Sequence, residues 1–172
     1  MLYYSTNLIA EVSGLNTTIA RGGKPKSLLQ SGRSMGQWMR ANLGADAPLF
    51  VDHSGLGDKT RVTTSDIVSA LVRMGPDGVV ASQLRRKGMP KQGAGIEVVA
   101  KTGTLNFVSG LAGFARANGR DLAFAILAAD LPRRRSIPEN DRERPPGAKG
   151  WSNRARHQEN ELLMEWARRY AS

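Results

Sequence analysis

Two short groups of residues in this sequence have side chains that could carry acyl-transfer chemistry. Lys101-Thr102-Gly103 ends the run "IEVVAKTG", which is typical of a buried strand, and Ser5-Thr6-Asn7 lies about 95 residues earlier. Lysine is rarely buried without a partner, because burying an unpaired ammonium is costly. We therefore expect Lys101 to have a partner, to lie at the mouth of a cleft, or both.

The order and spacing of these groups are more specific than either group alone. K-T-G and an S-D-N-type element accompany S-x-x-K in penicillin-binding proteins and class A β-lactamases. The runs "YYSTNLIAEVSGL", "VDHSGLGDKTRVTTSDIVSALV" and "EVVAKTGTLNFVSGLAGFA" together resemble the C-terminal part of the D-alanyl-D-alanine carboxypeptidase/endopeptidase family, the low-molecular-weight penicillin-binding proteins of peptidase family S13. The resemblance covers most of residues 2 to 131 and the final helix.

The resemblance implies a role for each of three catalytic candidates, Ser5, Asn7 and Lys101. Ser5 would shuttle protons in the cleft, and Asn7 would donate a hydrogen bond to the substrate's amide carbonyl. Lys101 would project into the same cleft, where its charge would polarise the Ser5 hydroxyl and favour a substrate carboxylate.

The same resemblance implies that Thr102, Gly103 and Thr104 bind the substrate. The two threonines would hydrogen-bond the terminal carboxylate of D-Ala-D-Ala, and the Thr104 backbone N–H would form half of the oxyanion hole. Glycine at position 103 suits a strand edge that another backbone approaches closely. The implied substrates are peptidoglycan peptide stems, the implied inhibitors are β-lactams, and the implied location is the periplasm. No metal or organic cofactor is implied.

The nucleophile of such a reaction is not among the 172 residues, because no serine is followed by a lysine three positions later. The nearest approach is Ser54 with Lys59, five positions apart, which does not put both on one helical face. In the family the S-x-x-K helix precedes the S-x-N element, so it would lie before Met1. We expect a catalytic half that does not turn over substrate alone.

Asp52-His53-Ser54 contains the residue types of a catalytic triad, but adjacent residues rarely reach triad geometry, so we expect a turn. The family's turn reads Asp-Gly-Ser-Gly, and His53 departs from it. Histidine tolerates positive φ better than most residues, so the turn can survive. Two histidines and no cysteine argue against a dedicated zinc site.

The elements that must position these residues follow from periodicity and capping signals. Three helices are predicted: one that begins after Ser5-Thr6-Asn7 and ends near Gly14 or residues 16–17, one that contains Leu28 and ends at Gly44, and one capped by Thr63 or Thr64 that ends at Gly75-Pro76. A weaker helix is predicted over residues 79–85, followed by a loop.

Three strands are predicted from residue 96 onward. The runs "IEVVAKT", "FVSGLAGFARA" and "DLAFAILAA" are joined at Leu105-Asn106 and at Asn118-Gly119, the second of which is a strong hairpin signal. The prediction is an α/β protein in which helices precede a three-stranded antiparallel meander and a C-terminal helix closes the structure. The resemblance implies the C-terminal part of a penicillin-binding/β-lactamase-like transpeptidase fold, with residues 1–172 in one domain.

Residues 132–156 are predicted to be a mobile basic loop, because they hold four prolines and a net charge of +5. The segment after it, "HQENELLMEWARRYAS", is predicted to be an amphipathic helix. Small residues in the second strand, such as Gly110 and Gly113, would let this helix lie close against the sheet.

The composition sets outer bounds and leaves one rival interpretation open. The apolar fraction of 40% is that of a globular protein, and no apolar run is long enough to span a membrane. A net charge of +10 favours an anionic partner. The alternative to an enzyme is therefore a non-catalytic basic remnant that binds cell-wall fragments or another polyanion. Nucleic acid is not the partner expected under the enzyme interpretation, and the charge does not determine the oligomeric state.

Overall fold

The computed structural model describes residues 1–93, 95–141 and 143–170. The chain divides into two compact units, Met1–Gly75 and Pro76–Ser172. Each unit is described by itself. In the described ranges, no helix is both long enough and apolar enough to cross a bilayer.

The first unit contains three helices, α1 (Asn7–Ala20), α2 (Leu28–Leu43) and α3 (Thr64–Met74). The predicted end of α2 at Gly44 is confirmed, because Gly44 adopts the left-handed conformation (φ 70°) that ends many helices. The predicted Thr63 cap of α3 is also confirmed. Thr63 Oγ1 accepts from the Asp66 N–H, and the Asp66 carboxylate accepts from the Thr63 N–H. This reciprocal capping box satisfies two backbone donors.

Helix α1 is longer than predicted, since it continues through Gly14 to Ala20. Gly14 packs against the His53 ring so closely that an added Cβ would lie 2.1 Å from the ring's Cγ. The glycine therefore serves a side-chain contact in the middle of the helix rather than ending it. Gly22, with φ 84°, lies just beyond the observed end.

The second unit is built on a four-stranded antiparallel sheet in chain order: β1 (Arg85–Lys87), β2 (Glu97–Leu105), β3 (Val108–Ala117) and β4 (Arg120–Ala129). The predicted meander is present as β2, β3 and β4. The prediction of only three strands was wrong, because β1 adds a fourth strand to the sheet. The weak helix ends early, at Ser82, and is α4 (Val79–Ser82). Strand β1 consists of three charged residues and has no alternation of apolar and polar side chains, so the sequence did not predict it. Short charged strands are nevertheless common at sheet edges.

Both predicted connections in the meander are tight. Asn118 and Gly119 have φ values of 50° and 74°, so both central residues of the β3–β4 turn are left-handed, as a type I′ hairpin requires. The β2–β3 turn lies one residue later than predicted, at Asn106-Phe107, and Phe107 has φ 59°. A bulky residue in that conformation is an outlier that its surroundings must stabilise.

The C-terminal helix α6 (Ala148–Tyr170) packs against β3 and β4, as the small residues of β3 predicted. Its Leu163 is buried in the main core of this unit, together with Val98, Ala100, Leu111, Ala115 and Phe124. Because alternate residues of a strand point to opposite faces, these residues define the α6 face of the sheet.

The prediction that all of residues 132–156 form a loop was wrong in part. A short helix, α5 (Leu131–Arg135), follows β4, and α6 begins at Ala148 rather than after residue 156. The first turns of α6 are rich in polar and charged residues, so no apolar stripe marked them as helical. Arg142 lies outside the described residues.

Candidate functional site

Lys101 lies on the face of the sheet opposite α6. Its neighbours Ala100 and Val98 are buried against α6, and side chains alternate along β2, so Lys101 points the other way. The ammonium is partly buried, and Nζ donates a hydrogen bond to the Thr102 carbonyl oxygen. Lys101 therefore has a hydrogen-bond partner within its own strand.

Two effects make Lys101 more acidic than an ordinary lysine. Partial burial lowers the pKa of its ammonium, and the positive charge of Arg85 on β1 lowers this pKa further. Arg85 pairs with Ala100, the residue before Lys101. Strand pairing therefore places a second positive charge close to the Lys101 ammonium.

The outer edge of β2 is covered along only part of its length. Strand β1 pairs with Val98, Val99 and Ala100, and no other described strand lies along the edge from Thr102 to Leu105. Thr102, Gly103 and Thr104 are exposed, and an added Cβ at Gly103 would meet nothing within 4 Å. This stretch could accept an extended peptide as an additional strand.

Ser5 and Asn7 lie where α1 begins, and both side chains are exposed. The N-cap residue is Thr6, and it makes no side-chain capping hydrogen bond. Ser5 adopts φ 55°. A non-glycine residue in the left-handed region costs about 1–3 kcal/mol, and such residues are enriched at functional sites.

The six predicted site residues fall in two groups. Ser5 and Asn7 belong to the first unit, and Lys101–Thr104 belong to the second. Within the second unit, one strand carries the lysine, both threonines and the glycine on consecutive positions. The meeting of the two groups in one cleft stays a prediction.

A partly buried polar network holds α1, and the sequence did not reveal it. Glu11 accepts from the backbone N–H groups of His53 and Ser54 at 3.0 and 3.1 Å. His53 Nε2 lies 2.8 Å from Ser31 Oγ, which lies 2.7 Å from Thr18 Oγ1. Ser31 is fully buried. It has no access to substrate, and we interpret the network as structural support for α1 from Glu11 to Thr18.

The Glu11 carboxylate is stabilised in its charged form. Burial raises its pKa, but the hydrogen bonds from the Ser54 side chain and from the His53 and Ser54 N–H groups, together with the charge of His53, outweigh this effect. The net result is a lowered pKa. The pattern could not be recognised from sequence, because Glu11 and His53 are 42 positions apart and no motif links them.

The expected turn at Asp52-His53-Ser54 is present, but His53 does not provide its positive φ. Gly55 does, with φ 80°. The Asp52 carboxylate accepts from the N–H groups of Gly55 and Gly57 at 3.0 and 2.5 Å. Asp52 therefore organises the turn. His53, where this sequence departs from the family's turn, packs its ring against Gly14.

A second missed feature supports the β2–β3 turn directly after the K-T-G-T segment. Arg134 Nη1 donates to the Asn106 carbonyl oxygen at 2.9 Å, and the Arg133 guanidinium lies 4.6 Å from the centre of the Phe107 ring. The same ring meets Trp151 edge-on at 6.3 Å. Both arginines come from the segment that was predicted to be a mobile basic loop, and their contacts stabilise the turn that contains the left-handed Phe107.

A buried pair also lies opposite the candidate strand. Ser109 Oγ donates to Glu159 Oε1 at 2.6 Å, and both side chains are buried. Ser109 is the β3 residue that pairs with Thr104. The pair therefore joins α6 to the sheet beside the end of the exposed segment.

No set of three or more histidine, cysteine, aspartate or glutamate side chains in the described ranges is arranged to hold a metal ion.

Comparison with known proteins identifies the family. The model of the D-Ala-D-Ala carboxypeptidase 3 (S13) family matches residues 1–143. No curated protein matches the chain.

A solved structure shares the fold. The Bd0816 predatory endopeptidase from Bdellovibrio bacteriovorus, determined in complex with the immunity protein Bd3460, superposes with a TM-score of 0.56 at 19% identity, over 96% of this chain. This chain spans 42% of that structure's length. The similarity supports the α/β architecture described above. From the family model and its extent, the chain belongs to the S13 family of serine-type D-Ala-D-Ala carboxypeptidases.

Proposed function

We propose that this chain forms the substrate-binding strand and the S-x-N group of a serine peptidase site that acts on peptidoglycan peptides ending in D-Ala-D-Ala. The observation that carries the proposal is the β2 edge: the pairing of β1 with β2 ends at Ala100, and the partly buried Lys101 and the exposed Thr102–Thr104 follow it. An extended peptide can add to such an edge through main-chain hydrogen bonds, and the lysine supplies a charge for its carboxylate.

The roles follow from the chemistry of acyl transfer, which needs a nucleophile, a proton carrier, an oxyanion hole and a donor for the leaving amine. Ser5 carries the proton to the leaving amine, and Asn7 holds the substrate's amide carbonyl. Lys101 favours the ionised form of the substrate carboxylate and polarises the Ser5 hydroxyl. The Thr104 N–H supplies half of the oxyanion hole, and the Thr102 and Thr104 hydroxyls bind the carboxylate.

The nucleophilic serine and its lysine come from a polypeptide segment outside these 172 residues. The same site serves carboxypeptidase and endopeptidase reactions, because both cleave the bond after an acyl-donating D-alanine. β-Lactams acylate the completed site, since they resemble that dipeptide. The site works where its substrate is, in the periplasm.

Peptide binding tests the proposal. An acetylated peptide that ends in D-Ala-D-Ala is titrated into the ¹⁵N-labelled chain, and the amide resonances of Thr102, Gly103 and Thr104 are followed. We expect these three to shift, and we expect no such shifts with the same peptide ending in L-Ala-L-Ala.

A matched pair of variants separates the specific contact from general charge. Lys101→Met removes a charge-assisted hydrogen bond and is expected to weaken peptide binding about tenfold or more. Lys91→Met removes an exposed charge from the same unit and is expected to leave binding within about twofold. Equal effects of the two substitutions would contradict the proposal.

The rival function is a basic module that binds polyanions. The exposed Arg85 and Arg86 favour it, but the contacts of Arg133 and Arg134 show that part of the positive charge is structural. Salt discriminates between the two. Polyanion binding that displaces many counterions falls steeply between 50 and 200 mM salt, by about a thousandfold for six phosphate contacts, whereas a single carboxylate contact loses only about threefold.

A further inference from the structure

A groove lies along helix α2 in the first unit. Its volume is about 230 Å³, and its lining residues are Arg33, Gly36, Gln37, Arg40, Pro48 and Leu49. We refer to it as the α2 groove. None of the six predicted site residues lines it. The groove is therefore a separate feature of the first unit.

The backbone forms the floor and one wall of the α2 groove. Gly36 is buried, and an added Cβ there would lie 2.5 Å from the Pro48 carbonyl oxygen, so α2 runs directly against Pro48. Leu49 is fixed by two backbone hydrogen bonds with Arg61, each of 2.7 Å. The floor and the Leu49 wall are therefore in place before a ligand binds, as they are in most small-molecule sites.

The opposite side of the groove carries long polar side chains. Arg33, Gln37 and Arg40 lie at positions i, i+4 and i+7 of α2, which places them within about 60° of one another around the helix. All three are exposed. Within the described part of the chain, the guanidinium groups of Arg33 and Arg40 make no ion pair and no hydrogen bond. Two positive charges on one groove are therefore available to a ligand.

The two arginines match a phosphate monoester better than a carboxylate. One guanidinium binds a carboxylate through two parallel hydrogen bonds, so a single arginine is sufficient for that group. A phosphate monoester carries a charge of about −1.5 to −2 at pH 7 and three acceptor oxygens, so it can bind two arginines at once. The charge of the groove therefore favours a phosphoryl group.

The remaining lining residues indicate what the phosphoryl group is attached to. Leu49 is 42% exposed and, with Pro48, offers an apolar surface to an organic ring. The Gln37 amide has both a donor and an acceptor and can bond a hydroxyl group. A sugar presents both kinds of surface, since its ring has apolar C–H faces and its rim carries hydroxyl groups.

We infer that the α2 groove binds the phosphate monoester of a sugar. Arg33 and Arg40 bind the phosphoryl oxygens, Gln37 binds a hydroxyl, and the ring lies against Leu49. Such a group occurs on free sugar phosphates and on the phosphorylated sugar headgroups of lipids. The inference does not depend on the proposed function, because no residue proposed to act on the peptide lines the groove.

Titration of the ¹⁵N-labelled 172-residue chain with glucose 6-phosphate tests the inference. We expect the Nε–Hε resonances of Arg33 and Arg40 and the amide resonance of Leu49 to shift over the same range of ligand concentration. Glucose lacks the phosphate and glucuronate carries one carboxylate, so each should bind at least about tenfold more weakly. Inorganic phosphate lacks the ring and should also bind more weakly. Equal affinity for glucuronate or for inorganic phosphate would overturn the inference.

A matched pair of variants separates the groove from general positive charge. Arg40→Met removes a charged donor from the groove and is expected to weaken binding about tenfold or more. Arg73→Met is the control, because Arg73 is exposed in the last turn of α3 just as Arg40 is in the last turn of α2. It should change binding less than about twofold. Both positions are exposed, so both variants should keep a cooperative melt. Equal losses of binding would overturn the inference.

Vesicles distinguish the two sources of the phosphorylated sugar. Phosphatidylcholine vesicles are prepared with and without lipid A, whose headgroup is a phosphorylated disaccharide. Sedimentation with the lipid A vesicles that is lost in Arg40→Met and kept in Arg73→Met would support the inference with a lipid headgroup as the ligand. Resonance shifts with glucose 6-phosphate would support it with a free sugar phosphate. The absence of both results would overturn it.

Discussion

Among the single residues of the candidate site, Lys101 has a pKa and a hydrogen bond that are set by its surroundings. The side chain lies opposite the α6 face, is partly buried, and bonds to the carbonyl of its neighbour. The K-T-G motif singles out Lys101 from the sequence as a candidate, and its role stays a prediction. Its lowered pKa could not be foreseen, because one contribution comes from Arg85 on a strand with no sequence signal.

The first prediction concerns the ionisation of Lys101. Burial and the charge of Arg85 lower its pKa, so it should titrate below the ordinary lysine value of 10.5. Arg85→Gln removes the smaller of the two effects and should raise the pKa part of the way back. Titration of the ¹³Cε resonance of Lys101 measures both values. A midpoint at or above 10.5 in the unmodified chain would refute the assignment.

The lowered pKa of Lys101 also determines how its contribution to the free energy of unfolding changes with pH. Because the folded state holds the Lys101 proton less tightly than the unfolded chain, this group's contribution to the free energy of unfolding should rise as pH increases from the lowered pKa toward 10.5. Lys101→Met should remove that rise.

Among the helices, strands and turns, features formed by residues close together in the sequence could be predicted. Elements without a local sequence signal could not. Thr63 with Asp66, Gly44, and the Asn118-Gly119 turn each act through bonds or backbone angles within a few residues, so the sequence identified them. Strand β1 depends on pairing with Val98–Ala100. The start of α6 carries no apolar period, so the sequence could not indicate it.

The α3 capping box gives the second prediction. Asp66 is buried, and its carboxylate accepts from Asp46 N at 2.6 Å and from Thr63 N at 3.0 Å. Asp66→Ala leaves both donors unsatisfied and should lower the free energy of unfolding by about 2–4 kcal/mol. Asp58→Ala, at an exposed site, should cost less than about 0.5 kcal/mol. Denaturant melts of the two variants provide the comparison, and similar losses would argue against the buried role.

Asp66 also makes the stability of the fold depend on pH in the acid range. Hydrogen bonding from Thr63 lowers the pKa of Asp66 below its usual 3.8 and outweighs burial, which raises it. The stabilisation is therefore complete above pH 3.8 and is lost as pH falls through the lowered value. The Asp66→Ala chain should lack this part of the acid transition.

The β2–β3 turn gives a further prediction about the candidate site. Arg134→Ala removes the bond to the Asn106 carbonyl and should loosen the end of β2 that carries Thr104. Peptide binding is expected to weaken about three- to tenfold. Arg135→Ala, at the exposed neighbouring position, is the control and should change binding less than about twofold. If the arginines are only solvated charges, the two variants will bind the peptide equally.

At the scale of the whole molecule, the two groups of site residues belong to different compact units. The order of the motifs predicts both groups from the sequence, because S-x-N, the turn near residue 53 and K-T-G keep the family's order. The network from Glu11 through His53 to Ser31 joins residues far apart in the chain, so only the folded structure reveals it. The net charge of +10 favours a negatively charged partner but does not identify it.

We propose that these residues bind substrate but do not supply the nucleophile. The most direct test of this proposal is the intact mass of the 172-residue chain after incubation with benzylpenicillin, recorded beside the amide spectrum of Thr102, Gly103 and Thr104. We expect the three amides to shift while the mass of the chain stays unchanged. A covalent adduct on any serine, or an unchanged spectrum at saturating penicillin, would contradict the proposal.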